Sequence, residues 1–515
     1  MIPSAIAGST TSARIDALAK AAPDPNPPFD TPANTTAGTP SAKTVQLKAS
    51  MKAPLSYGIS LTYRATPQPA STDVLLRRTC ERPQPMNAAI GFVALFALLI
   101  YGMPLAFALG IVGFAGFALM VGPLPAGAMS AQIAWDTLAS YSLSVLPLFV
   151  LMGNLVNHAG LSRQLYAASN AMVGHFKGGL AMATIVACGG FASVSGSSPA
   201  TAATMSSIAM PSMRKYGYSP ALSSGSVAAG GTLGILIPPS VIMVIYGSMT
   251  ETSIGALFVA GIVPGLIGIL LYAAAVRFTV WRDPDAGPAG PKLPMRERLL
   301  AIREVWAVLG LFILIIGGIY LGVFTPTEAA GMGASGAFII ALVTRTLTPA
   351  AFARVLLETV RTSAMLMCVL VGALIFSNFV NVAGVPSQVV ALINWFGLPP
   401  IGVILLLILF YLILGCVFDS LAMILLTVPI FFPLVTGLGF DPIWFGILIV
   451  VAVEISLITP PIGMNIFVIR TVMTDLPVTT IYRGVVPFIV ADIVRLALIV
   501  AVPALILFLP EQMGK

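Results

Sequence analysis

From Met86 onward the chain consists of apolar stretches of about 20 residues or more, separated by polar joins. A helix of that length crosses the hydrocarbon core of a bilayer, where only helices and closed barrels satisfy their backbone polar groups. Only 9% of the residues are charged, against about 25% in soluble proteins, so the chain lacks the side chains to cover a water-facing surface. The sequence therefore predicts an all-helical integral membrane protein.

The apolar stretches predict nine membrane spans. They cover residues 87–121, 142–158, 220–250, 253–280, 304–323, 325–346, 363–382, 442–470 and 484–510. The first is long and is expected to bend at Pro104. Lys and Arg are concentrated in the joins of one side, which the positive-inside rule makes cytoplasmic. The cytoplasmic linker 281–303 separates a first membrane half, 86–280, from a second half, 304–515.

Residues 1–85 differ from the rest of the chain. They are rich in Pro, Ala, Ser and Thr and contain no apolar run long enough to span a membrane, which predicts disorder. Met86 directly precedes the first span. We therefore expect either that Met86 is the native start and the preceding segment is an over-called extension, or that the segment is a genuine cytoplasmic tail.

Composition also excludes several functions. Lys and Arg outnumber Asp and Glu by 26 to 19, but they form no basic stripe with interleaved aromatic residues, so we expect no nucleic-acid partner. The four cysteines show no CxxC spacing, which argues against a metal centre or a disulfide framework. An intramembrane enzyme would need a nucleophile with its base or a histidine-rich metal cluster, and the chain has two histidines. We expect neither an enzyme nor a cofactor.

Residues 188–211 are uncharged and crowded with Gly, Ser and Thr in the middle of an apolar chain. Irregular, hydroxyl-lined backbone persists inside a membrane only where protein or a cavity surrounds it. This pattern predicts a re-entrant hairpin over residues 178–211. A second apolar region, 399–435, is interrupted by Asp419 and predicts a second hairpin.

Each predicted hairpin is followed by a span that two adjacent prolines break. These are Pro238-Pro239 in the first half and Pro460-Pro461 in the second. Two segments of mixed character, 160–176 and the amphipathic 349–362, are expected to lie along the membrane surface before the hairpins. Because one extra span precedes the second hairpin, that hairpin must enter from the opposite side. The order predicts an inverted repeat, the architecture of many secondary transporters.

Hydroxyl and carbonyl oxygens at these breaks could replace the water shell of a sodium ion, because hard cations prefer oxygen ligands. Half-helix N-termini carry partial positive charge, which suits a carboxylate substrate. Asp419 is the sharpest single candidate, because an ionisable group among apolar residues is costly and usually functional. The alternatives are helix packing through small residues for the first hairpin and a structural hydrogen bond for Asp419.

Two sets of candidate residues follow. The expected substrate-binding residues are Ser195, Ser198, Thr201, Gly231 and Asn465. The candidate Na+ ligands are Gly196, Ser197, Thr232, Pro238, Asp419, Ser420, Thr459, Pro460 and Gly463. We expect Asp492 and Arg495 to form an internal ion pair. Glu454 could belong either to the polar pocket or to an interface with the scaffold.

Four runs of the sequence resemble the large permease (M) subunit of tripartite ATP-independent periplasmic (TRAP) transporters. They are GFASVSGSSPATAATMSSIAMPSMRKYGYSPALSSGSVAAGGTLGILIPPS, GCVFDSLAMILLTVPIFFPLV, EISLITPPIGMNIFVIR and YRGVVPFIVAD. The resemblance covers about residues 86–510. It implies an ion-transporter-like elevator fold, in which a moving domain carries both hairpins against a scaffold. It further implies Na+-coupled uptake of carboxylate-bearing solutes such as dicarboxylates, keto acids or sialic acids. The expected partners are a small permease (Q) subunit, a periplasmic substrate-binding protein and the lipid bilayer of the bacterial inner membrane.

Two other kinds of transport protein are alternatives to a transporter that depends on a binding protein. A channel would show a repeated pore-lining segment with a selectivity filter, and the inverted repeat fits alternating access better. A stand-alone sodium–carboxylate symporter without a binding protein stays open, because partner subunits leave no clear mark in this chain. The residue that holds the substrate carboxylate also stays open, because no Arg lies inside either predicted hairpin.

Overall fold

The computed structural model describes residues 85–513 apart from Val417, and within this part no β-strand is present. The expectations of disorder or an over-called start for residues 1–85 concern a segment that lies outside the described residues, except for its last position.

The described chain is a succession of helices. Before the linker they are α1 Pro85–Ile100, α2 Leu105–Val121, α3 Pro123–Leu138, α4 Val145–His158, α5 Leu161–Val173, α6 Gly179–Ser195, α7 Ser198–Lys215, α8 Pro220–Leu236, α9 Val241–Thr250 and α10 Ile254–Arg282. From the linker onward they are α11 Met295–Glu304, α12 Trp306–Tyr320, α13 Pro326–Val343, α14 Pro349–Val382, α15 Val385–Phe396, α16 Pro400–Leu414, α17 Ser420–Gly437, α18 Pro442–Ser456, α19 Met464–Val472, α20 Val478–Ala501 and α21 Ala504–Leu507.

Several of these helices can span a bilayer. By length and composition, six helical stretches of the described chain are long and apolar enough. They are Pro220–Thr250, Ile254–Arg282, Pro326–Val343, Pro349–Val382, Ser420–Gly437 and Val478–Ala501. Two further helix pairs, each bent by 58°, raise the number to eight if each pair forms one span. The prediction of an all-helical, multi-pass membrane protein is confirmed.

The expected first span, 87–121, consists of two helices instead of one bent helix. α1 and α2 are separated by a break that ends at Pro104. Gly91 of α1 and Gly116 of α2 both pack against the ring of Phe379 in α14, since a Cβ added at either position would lie 2.5 Å from that ring. Because both helices meet the same ring, they pack side by side. The prediction of a single span bent at this proline is wrong.

Three other segments also differ from expectation. The surface segment 349–362 and the span 363–382 form one continuous helix, α14. The joins 122–141 and 383–398 contain helices α3 and α15, which the sequence reading missed. Both of these helices have a proline in the first turn, where its missing N–H removes no helical hydrogen bond.

The first parts of the two broken helices lie at the centre of the helix packing around the candidate site. Every residue from Leu222 to Leu236 in α8 and from Trp444 to Ser456 in α18 is buried. Helices α6, α7, α10 and α20 pack on α8, and helices α10, α16, α17 and α20 pack on α18. The two halves of the sequence therefore share one core, in which α10 and α20 contact both broken helices.

A second group of helices packs mainly within itself. α2 lies along α14, and α4 lies along α13. At Gly113 an added Cβ would lie 2.6 Å from the backbone of Phe376, so this glycine lets the backbones of α2 and α14 approach closely. In lipid the hydrophobic effect hardly drives helices together, so close van der Waals packing at small residues stabilises their association instead.

Candidate transport site

Each half of the sequence contributes a helix hairpin and a broken helix. In the first half the hairpin α6–α7 precedes the broken pair α8–α9, and in the second half the hairpin α16–α17 precedes the broken pair α18–α19. The hairpin tips are residues 196–197 and 415–419, and both proline pairs lie in the breaks of the broken helices. The predicted two hairpins and two broken helices are therefore present in the fold.

The tip of the first hairpin lies against the break that follows it. Gly196 has φ of +59°, a left-handed conformation that glycine adopts without strain. A Cβ added there would lie 3.4 Å from the carbonyl oxygen of Pro239, so the tip and the break are in contact. Ser197 caps α7, because its hydroxyl accepts a 3.5 Å hydrogen bond from the backbone N–H of Ala200. Pro238 precedes the contacted proline in the same break.

Three oxygens of the first hairpin lie close together. The hydroxyls of Ser195 and Thr201 are 2.7 Å apart, and Thr201 donates a 2.8 Å hydrogen bond to the carbonyl of Ser197. A Cβ added to Gly234 of α8 would lie 3.1 Å from the Thr201 hydroxyl, so this glycine makes room for the cluster. The structure therefore brings three predicted ligands into one uncharged, oxygen-lined position beside the first broken helix.

Asn465 joins the first hairpin to the second broken helix. Its Nδ2 donates to the hydroxyl of Ser198 at 2.8 Å and to the carbonyl of Ala228 in α8 at 3.1 Å. Both Ser198 and Asn465 are fully buried. Gly231 lies beside them, since a Cβ added there would be 3.3 Å from Nδ2. Three predicted substrate-binding residues thus meet in one contact between the two halves.

The tip of the second hairpin also lies against its own break. The Sγ of Cys416 lies 3.4 Å from the carbonyl oxygen of Pro460 and 3.2 Å from that of Leu412. Gly415 packs directly on Ser456 at the end of α18, where an added Cβ would overlap the serine side chain. In both halves, therefore, the hairpin tip touches the carbonyl of a proline in the break.

The remaining second-half candidates have separate local roles. Asp419 caps α17, because Oδ1 accepts a 2.6 Å hydrogen bond from the N–H of Ala422, and its side chain is exposed. Ser420 is buried in the first turn of the same helix. Thr459 donates its hydroxyl to the carbonyl of Ile455 at 2.6 Å. Gly463 has φ of +64° and immediately precedes α19.

A tyrosine that the sequence reading missed supports the second break. The hydroxyl of Tyr482 in α20 donates to the carbonyl of Pro461 and lies 2.9 Å from the carbonyl of Ile462. Carbonyls freed by a break in a helix need such partners inside a membrane. The only sequence signal for this contact is that Tyr482 lies in the YRGVVPFIVAD run.

The ends of eight helices lie at the tips and breaks. α7, α9, α17 and α19 begin there, and α6, α8, α16 and α18 end there. Helix N-termini present N–H groups and partial positive charge, which attract a carboxylate, whereas C-termini present carbonyls and partial negative charge, which attract a cation. The arrangement therefore offers groups of both kinds without a basic side chain in either tip.

The hydroxyl of Thr232 points away from the hairpin oxygens, unlike those of the other first-half candidates. It donates to the carbonyl of Ala229 at 2.7 Å and lies 3.0 Å from the hydroxyl of Tyr272. Tyr272 in turn donates a 2.7 Å hydrogen bond to Asp492. The structure thus places Thr232 next to a buried ionic cluster, and does not bring it together with the hairpin oxygens.

The buried ionic cluster joins α10, α18 and α20. Arg495 lies 2.8 Å from Asp492 and 2.9 Å from Glu454, and all three side chains are fully buried. The expected ion pair between Asp492 and Arg495 is confirmed. Glu454 belongs to this cluster, a position that the sequence alone left open. Asp492 and Arg495 are three residues apart on one helix, and this spacing is visible in the sequence. Glu454 comes from a different helix, so the sequence gives no sign of its contact.

No group of three or more His, Cys, Asp or Glu side chains that could hold a metal ion occurs in residues 85–513, with the one gap noted above. The oxygen-lined positions at the tips are of a different kind, because they are built from hydroxyls and backbone carbonyls.

A family model described as "Tripartite ATP-independent periplasmic transporter, DctM component" matches residues 92–505. The chain belongs to this family. It is 41% identical to the C4-dicarboxylate TRAP transporter large permease protein DctM of Pseudomonas aeruginosa over 74% of this chain and 88% of that protein. It is 35% identical to the sialic acid TRAP transporter large permease protein SiaM of Vibrio cholerae, over 80% of this chain and 96% of the relative.

Two further comparisons extend this result. The isethionate TRAP transporter permease protein DctMQ of Oleidesulfovibrio alaskensis is 36% identical over 82% of this chain, which covers 66% of that longer protein. Among solved structures, the YdaH transporter of Alcanivorax borkumensis, described as having an unusual topology, matches with a TM-score of 0.58. That match has 14% identity and covers 79% of this chain and 98% of YdaH, so it concerns the fold alone. As a member of the DctM family, the chain is a multi-pass inner-membrane transporter component and not an enzyme.

Proposed function

We propose that this large permease imports a carboxylate-bearing solute, of the C4-dicarboxylate, keto acid or sialic acid type, in symport with Na+. Two of its relatives are named for C4-dicarboxylate and sialic acid transport. A periplasmic binding protein delivers the solute, and a small permease (Q) subunit completes the membrane complex. The Oleidesulfovibrio relative, named DctMQ and longer than the matched region, supports a second permease part.

The observation that carries this proposal is the contact of each hairpin tip with a proline carbonyl in a helix break. Gly196 lies against the carbonyl of Pro239, and the Sγ of Cys416 lies 3.4 Å from the carbonyl oxygen of Pro460. Oxygens at such contacts suit a small hard cation that sheds its water, and the absence of a basic side chain there avoids competition with Na+.

The Na+ ligands in this proposal are oxygens of the two tips and breaks. In the first half they come from Gly196, Ser197 and Pro238, and in the second half from Asp419, Ser420, Thr459, Pro460 and Gly463. Thr232 would have to release the hydroxyl of Tyr272 to join them, so we keep it as the weakest member of the set.

The substrate carboxylate in this proposal is bound by N–H groups at the start of α7 and by hydroxyls of the first hairpin. Ser195 and Thr201 form a hydroxyl pair there, and Ser198, Gly231 and Asn465 lie on the adjoining wall. A helix N-terminus attracts an anion without a full positive charge, which is consistent with the lack of an Arg in the hairpins.

Alternating access is proposed to follow an elevator movement. Helices α6–α10 and α16–α20 surround the two breaks and would move as one body, whereas α2, α4, α13 and α14 pack mainly among themselves and would form the scaffold. The buried ionic cluster supports this division, because it joins α10, α18 and α20 within the moving group.

The deciding experiment is uptake of radiolabelled succinate and sialic acid into proteoliposomes that contain this chain and its partner small permease. We expect uptake only when a Na+ gradient and the partner binding protein are both present. Equal uptake with K+ in place of Na+ would refute the sodium coupling. Uptake without any binding protein would instead favour a stand-alone sodium–carboxylate symporter.

A further inference from the structure

A basic cavity lies on the side of the protein that the positive-inside rule assigns to the cytoplasm. Its volume is about 550 Å³, and it is lined by His175, Phe176, Lys177, Met182, Arg277 and Ala289. The first three residues belong to the turn between α5 and α6, Arg277 lies near the end of α10, and Ala289 belongs to the linker. The lining has three basic side chains and no carboxylate. It is unrelated to the hairpin tips, so it needs a separate explanation.

Two more cations of the linker act on this cavity. The pKa of His175 is lowered below its ordinary value by partial burial and then by the positive charges of Arg298 and Lys292. Arg298 donates Nε–H to the carbonyl of Leu293, while its Nη2 is buried and has no hydrogen-bond partner in the described part of the chain. A buried guanidinium nitrogen without an acceptor costs free energy unless a ligand supplies one.

The acidic residues nearby do not neutralise these cations. Asp283, Asp285 and Glu297 lie in the same linker. None of the ion pairs within 4 Å found among the described residues joins one of these carboxylates to a basic residue of the cavity. The cavity therefore keeps an excess of positive charge, which is the requirement for binding a multiply oxygenated anion.

The cavity wall is held in place by backbone hydrogen bonds between the linker and the base of the first hairpin. Gly178 donates to the carbonyl of Gly287 at 2.9 Å, and Gly290 donates to the carbonyl of Gly174 at 3.0 Å. A Cβ on Gly290 would lie 2.7 Å from that carbonyl, so the close approach of the two segments requires glycine. The cavity is therefore a built feature of the fold and not a gap beside a loose loop.

Exposed aromatic residues lie in the lining of the cavity and just beyond Arg277 on α10. Phe176 in its lining is 52% exposed, and Phe278 and Trp281, just beyond Arg277 on α10, are 54% and 74% exposed with ring centroids 6.0 Å apart. Trp side chains such as that of Trp281 concentrate at the membrane–water interface. A ligand in this cavity would therefore have its charged group at headgroup level and an apolar part beside exposed hydrophobic side chains.

We propose that this cavity binds the phosphate group of an anionic phospholipid from the cytoplasmic leaflet. Basic pockets between helices on the cytoplasmic side are the known setting for such headgroups. Lys177 and Arg277 of the lining contact the phosphate, and the nearby charges of Lys292 and Arg298 add to the attraction. The lipid thereby ties together the base of the first hairpin, the end of α10 and the linker that connects them to the second half.

The test measures lipid binding to the purified full-length chain by native mass spectrometry, with phosphatidylglycerol and phosphatidylcholine compared at equal concentration. The test variant is Lys177→Gln/Arg277→Gln. The matched control is Arg354→Gln/Arg361→Gln, which removes two exposed charges from α14, outside the cavity. We expect phosphatidylglycerol to bind the unchanged protein and the control preferentially, and to bind the test variant about 30-fold more weakly, because each basic side chain near anionic lipid contributes about 1 kcal/mol.

Two additions keep the result decisive. The charge-preserving variant Lys177→Arg/Arg277→Lys should retain preferential binding, which separates loss of charge from loss of structure. Inorganic phosphate, titrated by calorimetry, distinguishes the two sources of the group, and binding as tight as that of phosphatidylglycerol would show a free-phosphate site and overturn the lipid proposal. Equal phosphatidylglycerol affinity in the test and control variants, or equal binding of the two lipids to the unchanged protein, would also overturn it.

Discussion

The first hairpin is hydrogen-bonded to both halves of the molecule, whereas the second hairpin is bonded mainly to itself and to its own break. Ser198, the first residue of α7 directly after the tip, is buried and accepts a hydrogen bond from Asn465, which comes from the second broken helix. In the second hairpin, Tyr411 of one arm lies 2.6 Å from the hydroxyl of Thr427 in the other arm. Asp419 of the second tip is exposed and bonds only within its own helix turn.

Two hairpins at equivalent places in a repeat can therefore be held by different contacts. The first is fixed from outside by a buried hydrogen-bonded pair, and moving it would leave polar groups without partners. The hydrogen bonds described at the second tip lie within its own half, so its displacement breaks no buried pair between the halves. We expect displacement of the second tip to need less free energy than displacement of the first.

The largest expected effect comes from the cluster that joins helices of both halves. Arg495→Met leaves Asp492 and Glu454 buried without a cation, and we expect a loss of about 3–5 kcal/mol in the free energy of unfolding. The control Arg214→Met breaks the exposed ion pair with Asp475 and should cost about 1 kcal/mol or less. Thermal unfolding in detergent measures both. Similar losses in the two variants would show that the buried cluster does not hold the halves together.

The next effect tests the bond between the first hairpin and the second broken helix. Asn465→Ala leaves the buried Ser198 hydroxyl without the donor that Asn465 supplies, at a cost of about 1–3 kcal/mol. We expect uptake in proteoliposomes to fall by about tenfold or more, because about 1.4 kcal/mol corresponds to a factor of ten. Asn378→Ala, which removes a side-chain bond to the Leu374 carbonyl in α14, is the control and should keep near-normal uptake. Normal uptake in Asn465→Ala would remove the proposed difference between the hairpins.

Alanine variants of one glycine in each tip should both lose stability, but for different physical reasons. In Gly415→Ala the new Cβ overlaps the Ser456 side chain, so the second-site change Ser456→Gly should restore stability. In Gly196→Ala the atom nearest to the new Cβ is the Pro239 carbonyl oxygen at 3.4 Å, so there is no overlap. The alanine must nevertheless adopt φ of +59°, at a cost of about 1–2 kcal/mol. Ser456→Gly should therefore have no effect on that variant. Thermal unfolding of the two single and two double variants measures this, and rescue of both tips, or of neither, would contradict the described contacts.

The smallest effect on stability is expected at Asp419. Asn is as good a helix cap as Asp, so Asp419→Asn should fold normally while raising the Na+ concentration needed for half-maximal uptake. Asp419→Ala should show the same shift and lose about 1 kcal/mol of stability in addition, because the cap to Ala422 is lost. Uptake measured against Na+ concentration distinguishes charge from capping. An unchanged Na+ response in Asp419→Asn would assign this residue to capping alone.

Local properties of the sequence predicted much of this site. The lengths of the apolar stretches, the uncharged run around Gly196 and the two proline pairs placed both hairpins and both breaks, because proline lacks a backbone donor wherever it occurs. The same local reasoning failed at α3 and α15, where prolines begin helices, and at the first span, where packing on Phe379 sets two helices side by side.

Contacts between distant residues could not be read in this way. Asn465 and Ser198 lie far apart in the sequence, and no periodicity links them. Thr232 and Gly231 are neighbours, yet the hydroxyl of one lies 3.0 Å from that of Tyr272 and the other lies against Asn465, because successive residues of a helix face different directions.

The sequence by itself determined that the chain is a multi-pass membrane protein with two hairpins and two broken helices, since apolar length and proline chemistry act locally. Only the tertiary structure decided which oxygens meet at each tip, that Glu454 joins the pair of Asp492 and Arg495, and that the linker closes a basic cavity. Those features depend on how buried polar groups of different helices find partners, and that choice is made only when the helices pack.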